Sequence, residues 1–304
     1  MGHFLIARVI QSILTLLVIS LVVFVMARAT GDPVTLLASP QATTQDIALL
    51  KQQLGLDQPL PVQYWVFITN ALRGNLGRSL ADKGDVAQLI GERLPNSAII
   101  GLPALLLSTV LGMALGVAAA VKRDTWIDKS VRVLAVLGQS MPTFWLAIMA
   151  IFVFSVLLRV LPTSGMGTPD HYVLPVAVLT FFAMPMRMRL MRSSLLEILA
   201  TEYVKQARAK GLSEGAVIWR HAVRNALSPQ LTSFGLTLAF AITGAIIVET
   251  VFSWPGLGQL AYQAMLARDY PLIQGTVLLV AVIVIGANLL VDALYASLDP
   301  RIRY

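Results

Sequence analysis

Long apolar stretches without a charged side chain alternate with polar segments along this chain. An α-helix needs about 20 consecutive apolar residues to cross the roughly 30 Å hydrocarbon core of a bilayer. Most of the stretches reach that length, so the pattern predicts an all-α integral membrane protein with six transmembrane helices. The predicted spans are residues 9–27, 94–121, 133–158, 172–186, 225–248 and 270–291.

The fourth stretch differs from the others because it is short and contains Pro175 and Pro185. It either re-enters the membrane from one side or spans it, in which case Arg187 and Arg189 extend the helix and reach the headgroups. We predict that it spans, because the charge distribution described next requires that crossing.

Composition and charge fit a membrane protein and predict its orientation. The chain is 57% hydrophobic and only 13% charged, with a mean hydropathy of +0.75 and a net charge of +7. Soluble domains are about 25% charged. With six spans, Lys and Arg concentrate in the short loops on the side that holds both chain ends. Since positive charge stays in the cytoplasm, we predict cytoplasmic N- and C-termini. The basic excess then reflects topology, and nucleic acid is not an expected partner.

The predicted spans divide the chain into three regions. Residues 1–30 form an N-terminal transmembrane anchor helix. Its end resembles a signal-peptide cleavage site at Ala27-Arg28-Ala29, but its apolar run is too long for a signal peptide. Residues 31–95 form an extracytoplasmic segment, and residues 96–304 form a five-helix core with a cytoplasmic loop at 187–228.

The extracytoplasmic segment is predicted to contain two short helices. One begins at Thr44, and the other runs over residues 59–72. The second carries the aromatic residues Tyr64, Trp65 and Phe67. Such side chains either sit at the lipid interface or form an external surface that docks a partner. The pattern leaves both interpretations open.

The cytoplasmic loop has the pattern of two amphipathic helices joined at Gly211. Ser194 and Glu197 have the spacing of a capping box, which predicts a helix start there, and Ser213 is placed to cap the second helix. This hairpin is either a lever that protrudes into the cytoplasm or an element lying on anionic lipid. The expected apolar faces are Leu195, Leu199, Tyr203 and Ala207 in the first helix, and Ala216, Trp219, Val223 and Ala226 in the second.

Several segments of the chain, taken in their order along the sequence, resemble segments of one protein family. Residues 202–212 read EYVKQARAKGL and residues 221–226 read HAVRNA. Together they closely resemble the coupling loop of ABC importer permeases of the dipeptide/oligopeptide/nickel transport family. The resemblance extends to SMPTFW at residues 140–145 and FSWPGLG at residues 252–258.

This resemblance implies an architecture and a set of partners. The fold would be that of a type I ABC importer permease in the bacterial inner membrane. The implied partners are a second homologous permease subunit, two cytoplasmic ATPase subunits that bind ATP and magnesium, an extracytoplasmic substrate-binding protein and membrane lipid. The implied substrates are di- or oligopeptides, with glutathione or nickel chelates as alternatives.

The resemblance also implies which residues couple to the ATPases. The broader importer pattern has Glu-Ala-Ala where this chain has Lys205-Gln206-Ala207, so a contact made by that Glu does not carry over. The implied coupling residues are Glu202, Lys205, Gln206, Ala207, Arg208, Ala209, Lys210, Gly211, Leu212 and Ser213.

The chain is not expected to be an enzyme or to hold a cofactor of its own. It has no G-x-x-x-x-G-K-[ST] phosphate loop, so the energy of ATP must come from partner subunits. His3, His171 and His221 are too scattered to indicate a metal site.

Three polar residues near the bilayer are candidates for the translocation pathway, because burial of polar groups there is costly. Glu249 lines the external mouth or serves as a helix-end partner. Asn288 and Asp292 share a face of the sixth span, where hydrogen bonding between helices is the other interpretation. An ion-driven secondary transporter is the main rival class, and the charge-free spans disfavour it because such proteins carry ionisable groups at the midplane.

Overall fold

A computed structural model describes residues 2–29, 43–53 and 55–298 of the chain. Within these ranges every regular element is a helix, apart from an isolated bridge between Arg78 and Asp85. The all-α prediction is therefore confirmed. The helices form two compact units, the first from Met1–Pro95 with Gly256–Tyr304 and the second from Asn96–Pro255.

The helices of the described ranges follow one another with short connections. Two of them continue into π-helical segments, Ile151–Leu157 after α6 and Val217–Val223 after α9. In chain order they are α1 (Gly2–Ala29), α2 (Thr44–Gln53), α3 (Leu60–Leu72), α4 (Val86–Val121), α5 (Trp126–Ser140), α6 (Thr143–Ala150), α7 (Asp170–Leu199), α8 (Glu202–Ala209), α9 (Glu214–Ala216), α10 (Arg224–Thr243), α11 (Ile246–Val251), α12 (Leu257–Leu266) and α13 (Tyr270–Leu298).

The first unit is built around the start of α4. Val86 and Ile90 of α4 are buried against Leu257 and Leu260 of α12 and Leu272 of α13. Helix α1 packs along α13, and α3 packs against α1.

The loop before α4 is fixed to the start of α13. The buried carboxylate of Asp269 accepts a hydrogen bond from the hydroxyl of Ser79 and one of 3.1 Å from the amide of Ala81. It also caps α13 through the amide of Leu272, at 3.2 Å.

The second unit is held together by a close crossing of α4 and α7. Gly112 and Gly116 face the backbone of α7, and a Cβ at Gly116 would lie 2.6 Å from the Met188 carbonyl oxygen and 2.7 Å from Met191 Cβ. Small residues four apart let two membrane helices approach closely. Helix α5 packs on the other side, where Val131 and Ala135 are buried against Met188.

Four described helices, α1, α4, α7 and α13, are long and apolar enough to cross a bilayer, and a bent pair of helices makes up to five. A further apolar segment, Thr237–Val251, is shorter. The predicted number of six spans is compatible with this count and stays a prediction. Two of the predicted spans are wrong as single helices.

The predicted span at 133–158 is broken. Helices α5 and α6 are bent by 102° at Met141 and Pro142. Proline lacks an amide proton and disfavours helical geometry in the residue before it. Met141 accordingly has an extended backbone, with φ −85° and ψ 124°.

The predicted span at 225–248 also ends early. Helix α10 stops at Thr243, and Gly244 has a φ of +89°, a left-handed conformation that favours glycine. The chain then resumes as α11 at Ile246.

The short fourth stretch became a long helix. Residues 172–186 lie within α7, which has 30 residues and continues through both prolines. The expectation that Arg187 reaches the headgroups is wrong, because its side chain is buried, with 2% exposed. Its guanidinium donates to Thr109 Oγ1 and Thr237 Oγ1, each at 2.8 Å, so it is held by α4 and α10.

Candidate functional site

The predicted coupling residues form α8 and the turn that joins it to α9. Helix α8, this turn and α9 together make a compact hairpin. The amide of Gly211 donates to the Arg208 carbonyl at 2.9 Å, and the amide of Leu212 donates to the Ala207 carbonyl at 3.4 Å. This pair of bonds is a Schellman motif, which needs a left-handed residue at its centre. Gly211 supplies it with a φ of +80°. The predicted helix end at Gly211 is confirmed.

The second arm of the hairpin begins as predicted at Ser213. Its hydroxyl oxygen accepts a hydrogen bond from the Ala216 amide at 3.4 Å, which satisfies one free donor at the helix start. The short helix α9 then passes directly into the π-helical segment and α10.

One side of the hairpin is anchored to the rest of the second unit. Val204 and Ala207 of α8 are buried together with Val217, and Ile198 and Leu199 at the end of α7 pack against them. This apolar contact joins α8 to the end of α7.

The other side of the hairpin is exposed. Among the ten predicted coupling residues, Ala207 is buried and the others face outward. Three large apolar side chains lie exposed in the same part of the chain, Tyr203 at 41%, Leu212 at 42% and Trp219 at 65%. Because aromatic residues are enriched in protein interfaces, this exposed side is a candidate surface for a protein partner.

Two ion pairs shape the exposed side. Lys205 Nζ lies 2.8 Å from Glu202 Oε1 along α8. The Arg208 guanidinium contacts Glu214 with both of its ends, at 3.1 Å and 2.6 Å, and so links α8 to α9 across Gly211. These hydrogen bonds lower the pKa of the Glu214 carboxyl. The sequence interpretation missed Glu214, because a pair six residues apart across a turn has no helical spacing.

The predicted helix start at Ser194 is wrong. Ser194 and Glu197 lie inside α7, and the chain breaks only at Ala200 and Thr201 before α8 begins. The expected continuous face from Leu195 to Ala207 therefore does not form. In α8 the buried residues are Val204 and Ala207. Tyr203, which was expected on the buried face, is exposed, and its hydroxyl accepts a hydrogen bond from Asn225 Nδ2 at 2.9 Å.

The apolar face predicted for the second helix does not coincide with the face that is buried. Trp219 was expected inside and is exposed, whereas Val217, Ile218 and Ala222 are buried. The cause is the π-helical segment, which has more residues per turn than an α-helix and rotates the following side chains. Ala226 is buried as predicted.

The end of α7 that carries the hairpin is tied to α5 by an ion pair. Asp128 is completely buried, and its two carboxylate oxygens accept from Arg192 Nε at 2.7 Å and Arg192 Nη2 at 2.9 Å. The Asp124 amide donates to the same carboxylate at 3.1 Å. Reasoning from sequence did not find this pair, because its members are 64 residues apart.

The predicted pathway residues lie apart from the hairpin in sequence. Glu249 of α11 is completely buried and accepts a hydrogen bond from Ser97 Oγ at 2.7 Å. Its carboxylate lies against Gly244, where a Cβ would collide with it. Asn288 is half-buried in α13, and the side chain of Asp292 lies outside the described part of the chain. Their role in a pathway stays a prediction.

Comparison with known families identifies the family of this chain. Residues 112–304 match the family described as binding-protein-dependent transport system inner membrane component, and residues 1–101 match the N-terminal region described for the same class of membrane component. The chain belongs to this family. The permease resemblance noted from the sequence is thereby confirmed.

Similar permeases are known across the whole length. The glutathione transport system permease protein GsiC of Salmonella choleraesuis is 42% identical over 305 residues, covering 100% of both chains. The protein of the same name from Escherichia coli strain K12 is 41% identical over the same length. A chain of the MetNI methionine ABC transporter, solved in inward-facing conformations, matches with a TM-score of 0.57 at 19% identity, covering 70% of this chain and 97% of that chain. This last likeness shows a shared fold.

The family assignment fixes the general role of the permease. It is a multi-pass inner membrane subunit of an ABC importer, and such a subunit works with ATPase and permease partners. It is a transport protein and not an enzyme, which confirms the expectation that this chain has no ATPase site of its own.

Proposed function

We propose that this permease forms half of the translocation pathway of an importer for short peptides, with glutathione, a tripeptide, as the first candidate. Full-length relatives at 41–42% identity carry the name of a glutathione transport system. The sequence motifs resemble the dipeptide/oligopeptide/nickel transport family as a whole, and peptides are favoured on the breadth of that family. An extracytoplasmic binding protein delivers the substrate, and a second homologous permease completes the pathway.

The coupling hairpin seats in a groove of a cytoplasmic ATPase subunit, one ATPase for each of the two permeases. Those ATPases bind ATP and magnesium, and their closure pushes the hairpin. The exposed side of α8 and the turn at Gly211 supply the contact surface. The basic residues of this loop are consistent with cytoplasmic N- and C-termini.

The strongest support from the geometry is the two-sided hairpin. Its outer side is exposed, while Val204 and Ala207 bind its inner side to the end of α7. A hairpin that only binds lipid does not need this apolar contact with α7, whereas a hairpin that transmits motion to α7 does.

Crosslinking tests the contact directly. The natural chain contains no cysteine, so Ala209→Cys and Leu212→Cys give single reactive positions at the exposed turn. Both should crosslink to an ATPase subunit in the assembled importer, while Lys83→Cys in the predicted extracytoplasmic segment should not. Reaction only with lipid headgroups would refute the coupling role.

Substrate class is tested separately. Calorimetry with the cognate binding protein should show tight binding of glutathione or another short peptide, and the reconstituted importer should take it up with ATP. Binding of nickel chelates without peptide would replace the proposed substrate and leave the coupling mechanism intact.

A further inference from the structure

Helix α3 lies against α1 within the apolar run that crosses the membrane. The hydroxyl of Tyr64 is 2.9 Å from Ser20 Oγ, and Ser20 is buried by the contact, with 3% exposed. The rings of Tyr64 and Phe67 lie 5.4 Å and 5.8 Å from the ring of Phe24. These contacts fix the position of α3 along α1.

The depth of this contact follows from helix geometry. Arg28 is the first charged residue after the apolar run of α1 and marks the level of the headgroups. The Arg28 guanidinium lies 5.3 Å from the ring of Phe24, so the charge is close to that ring. At 1.5 Å per residue, Ser20 lies about 6 Å further into the apolar run than Phe24. Helix α3 therefore contacts α1 at the level of the lipid acyl chains, although it belongs to the segment predicted to be extracytoplasmic.

The outer surface of α3 is unsuited to water. No residue from Leu60 to Leu72 is charged, and none is buried. Leu60, at 59%, is exposed at the start of the helix. Four further exposed large apolar side chains lie on one face of it. They are Val62 at 45%, Trp65 at 69%, Val66 at 49% and Leu72 at 83% exposed.

Two hydroxyl groups of α3 have partners, whereas the Oε1 atom of Gln63 is buried without one. Tyr64 pairs with Ser20, and the hydroxyl of Thr69 donates to the carbonyls of Trp65 and Val66 at 2.9 Å and 3.1 Å. Polar groups at membrane depth must be satisfied internally. Many large apolar side chains of α1 are exposed as well.

We propose that α3 is a lipid-binding helix immersed in the leaflet at the C-terminal end of α1. Its stripe of Val62, Trp65, Val66 and Leu72 contacts acyl chains, while Tyr64 and Phe67 hold it to α1. This proposal needs α1 to be in the membrane and is independent of the substrate and of the coupling hairpin.

Spin labelling tests the immersion in the complete importer. Because this chain has no cysteine, Trp65→Cys, Val66→Cys and Leu72→Cys each give one nitroxide site once cysteines of partner subunits are replaced. Collisions of the nitroxide with oxygen, which enriches in lipid, are compared with collisions with a water-soluble nickel chelate. Asp82→Cys and Lys83→Cys, both exposed outside α3, are the controls.

We expect more oxygen than nickel collisions at the α3 sites and the reverse at both controls. A nickel excess at the α3 sites would place the helix in water and overturn the proposal. Protection from both reagents would show that a protein subunit covers the stripe and would overturn it equally. Three label sites keep the test valid if one variant fails to assemble.

Discussion

The carboxylate of Asp128 and the guanidinium of Arg192 meet end to end in a two-bond ion pair, at 2.7 Å and 2.9 Å. Asp128 is completely buried, whereas 21% of the Arg192 side chain is exposed. The pair joins α5 to α7 a short distance before the coupling hairpin. The pair therefore holds α5 against this end of α7.

Replacing Arg192 should destabilise the second unit. Arg192→Gln leaves the buried Asp128 carboxylate with Arg132, which is half-exposed and 3.4 Å away. Breaking a buried ion pair from one side costs about 3 kcal/mol or more. The measurement is the midpoint of thermal unfolding of the assembled importer, and it should fall clearly.

The matched control is Arg123→Gln, which removes a pair with Asp124 whose side chains are 66% and 76% exposed. Exposed pairs contribute roughly 0–1 kcal/mol, so the midpoint should hardly change. The double variant Asp128→Asn with Arg192→Gln should be more stable than Arg192→Gln alone, because no buried charge is left unpaired. Equal shifts for Arg192→Gln and Arg123→Gln would contradict the structural role.

A methyl group at Gly116 should force α4 and α7 apart. In Gly116→Ala the new Cβ would lie 2.6 Å from the Met188 carbonyl oxygen, and overpacking of this kind costs about 1–3 kcal/mol. Gly91→Ala is the control on the same helix, since nothing lies within 4 Å of its Cβ. Unfolding midpoints should fall for Gly116→Ala and stay level or rise for Gly91→Ala. The reverse order would show that the crossing is loose.

Sequence patterns predicted the long helices well, because length and apolarity suffice to identify them. α1, α4 and α13 follow directly from their charge-free runs. The break at Pro142 also has a local signal, but the 102° bend depends on packing around it. The burial of Arg187 has no local signal, since its partners Thr109 and Thr237 are 78 and 50 residues away.

The hairpin shows the same division between features that have a local sequence signal and features that have none. Gly211 and Ser213 act through backbone geometry over a few residues, so the turn could be predicted. The exposure of Trp219 could not, because a π-helical segment changes the phase of the following side chains without a sequence signature.

The backbone at Gly211 should matter for coupling, because its φ of +80° is strained for any other L-residue. Nothing lies within 4 Å of a Cβ there, so Gly211→Ala costs only the left-handed conformation, about 1–2 kcal/mol. Gly211→Val should distort the turn more. We expect less substrate imported per ATP hydrolysed in Gly211→Val than in Gly211→Ala.

Gly215→Ala is the control for these variants, since Gly215 also has open space around its Cβ but lies in a short helix without a positive φ. It should retain the wild-type ratio of import to hydrolysis. If Gly211→Val retained that ratio as well, the turn would not transmit the motion of the ATPase.

The ion pair between Arg208 and Glu214 should be measurable as a lowered pKa of the Glu214 carboxyl. The Arg208 hydrogen bonds lower the pKa of Glu214 below its ordinary value of 4.5. The pair is therefore fully formed above that value and is lost as the pH falls through the lowered pKa. A carboxyl-carbon NMR titration of Glu214 in the importer should give a lower pKa in the natural chain than in Arg208→Gln. High salt should reduce the difference, since the pair is exposed and ions screen it. Identical titrations in the two chains would mean that Arg208 and Glu214 are not joined in solution and that Gly211 alone fixes the angle between α8 and α9.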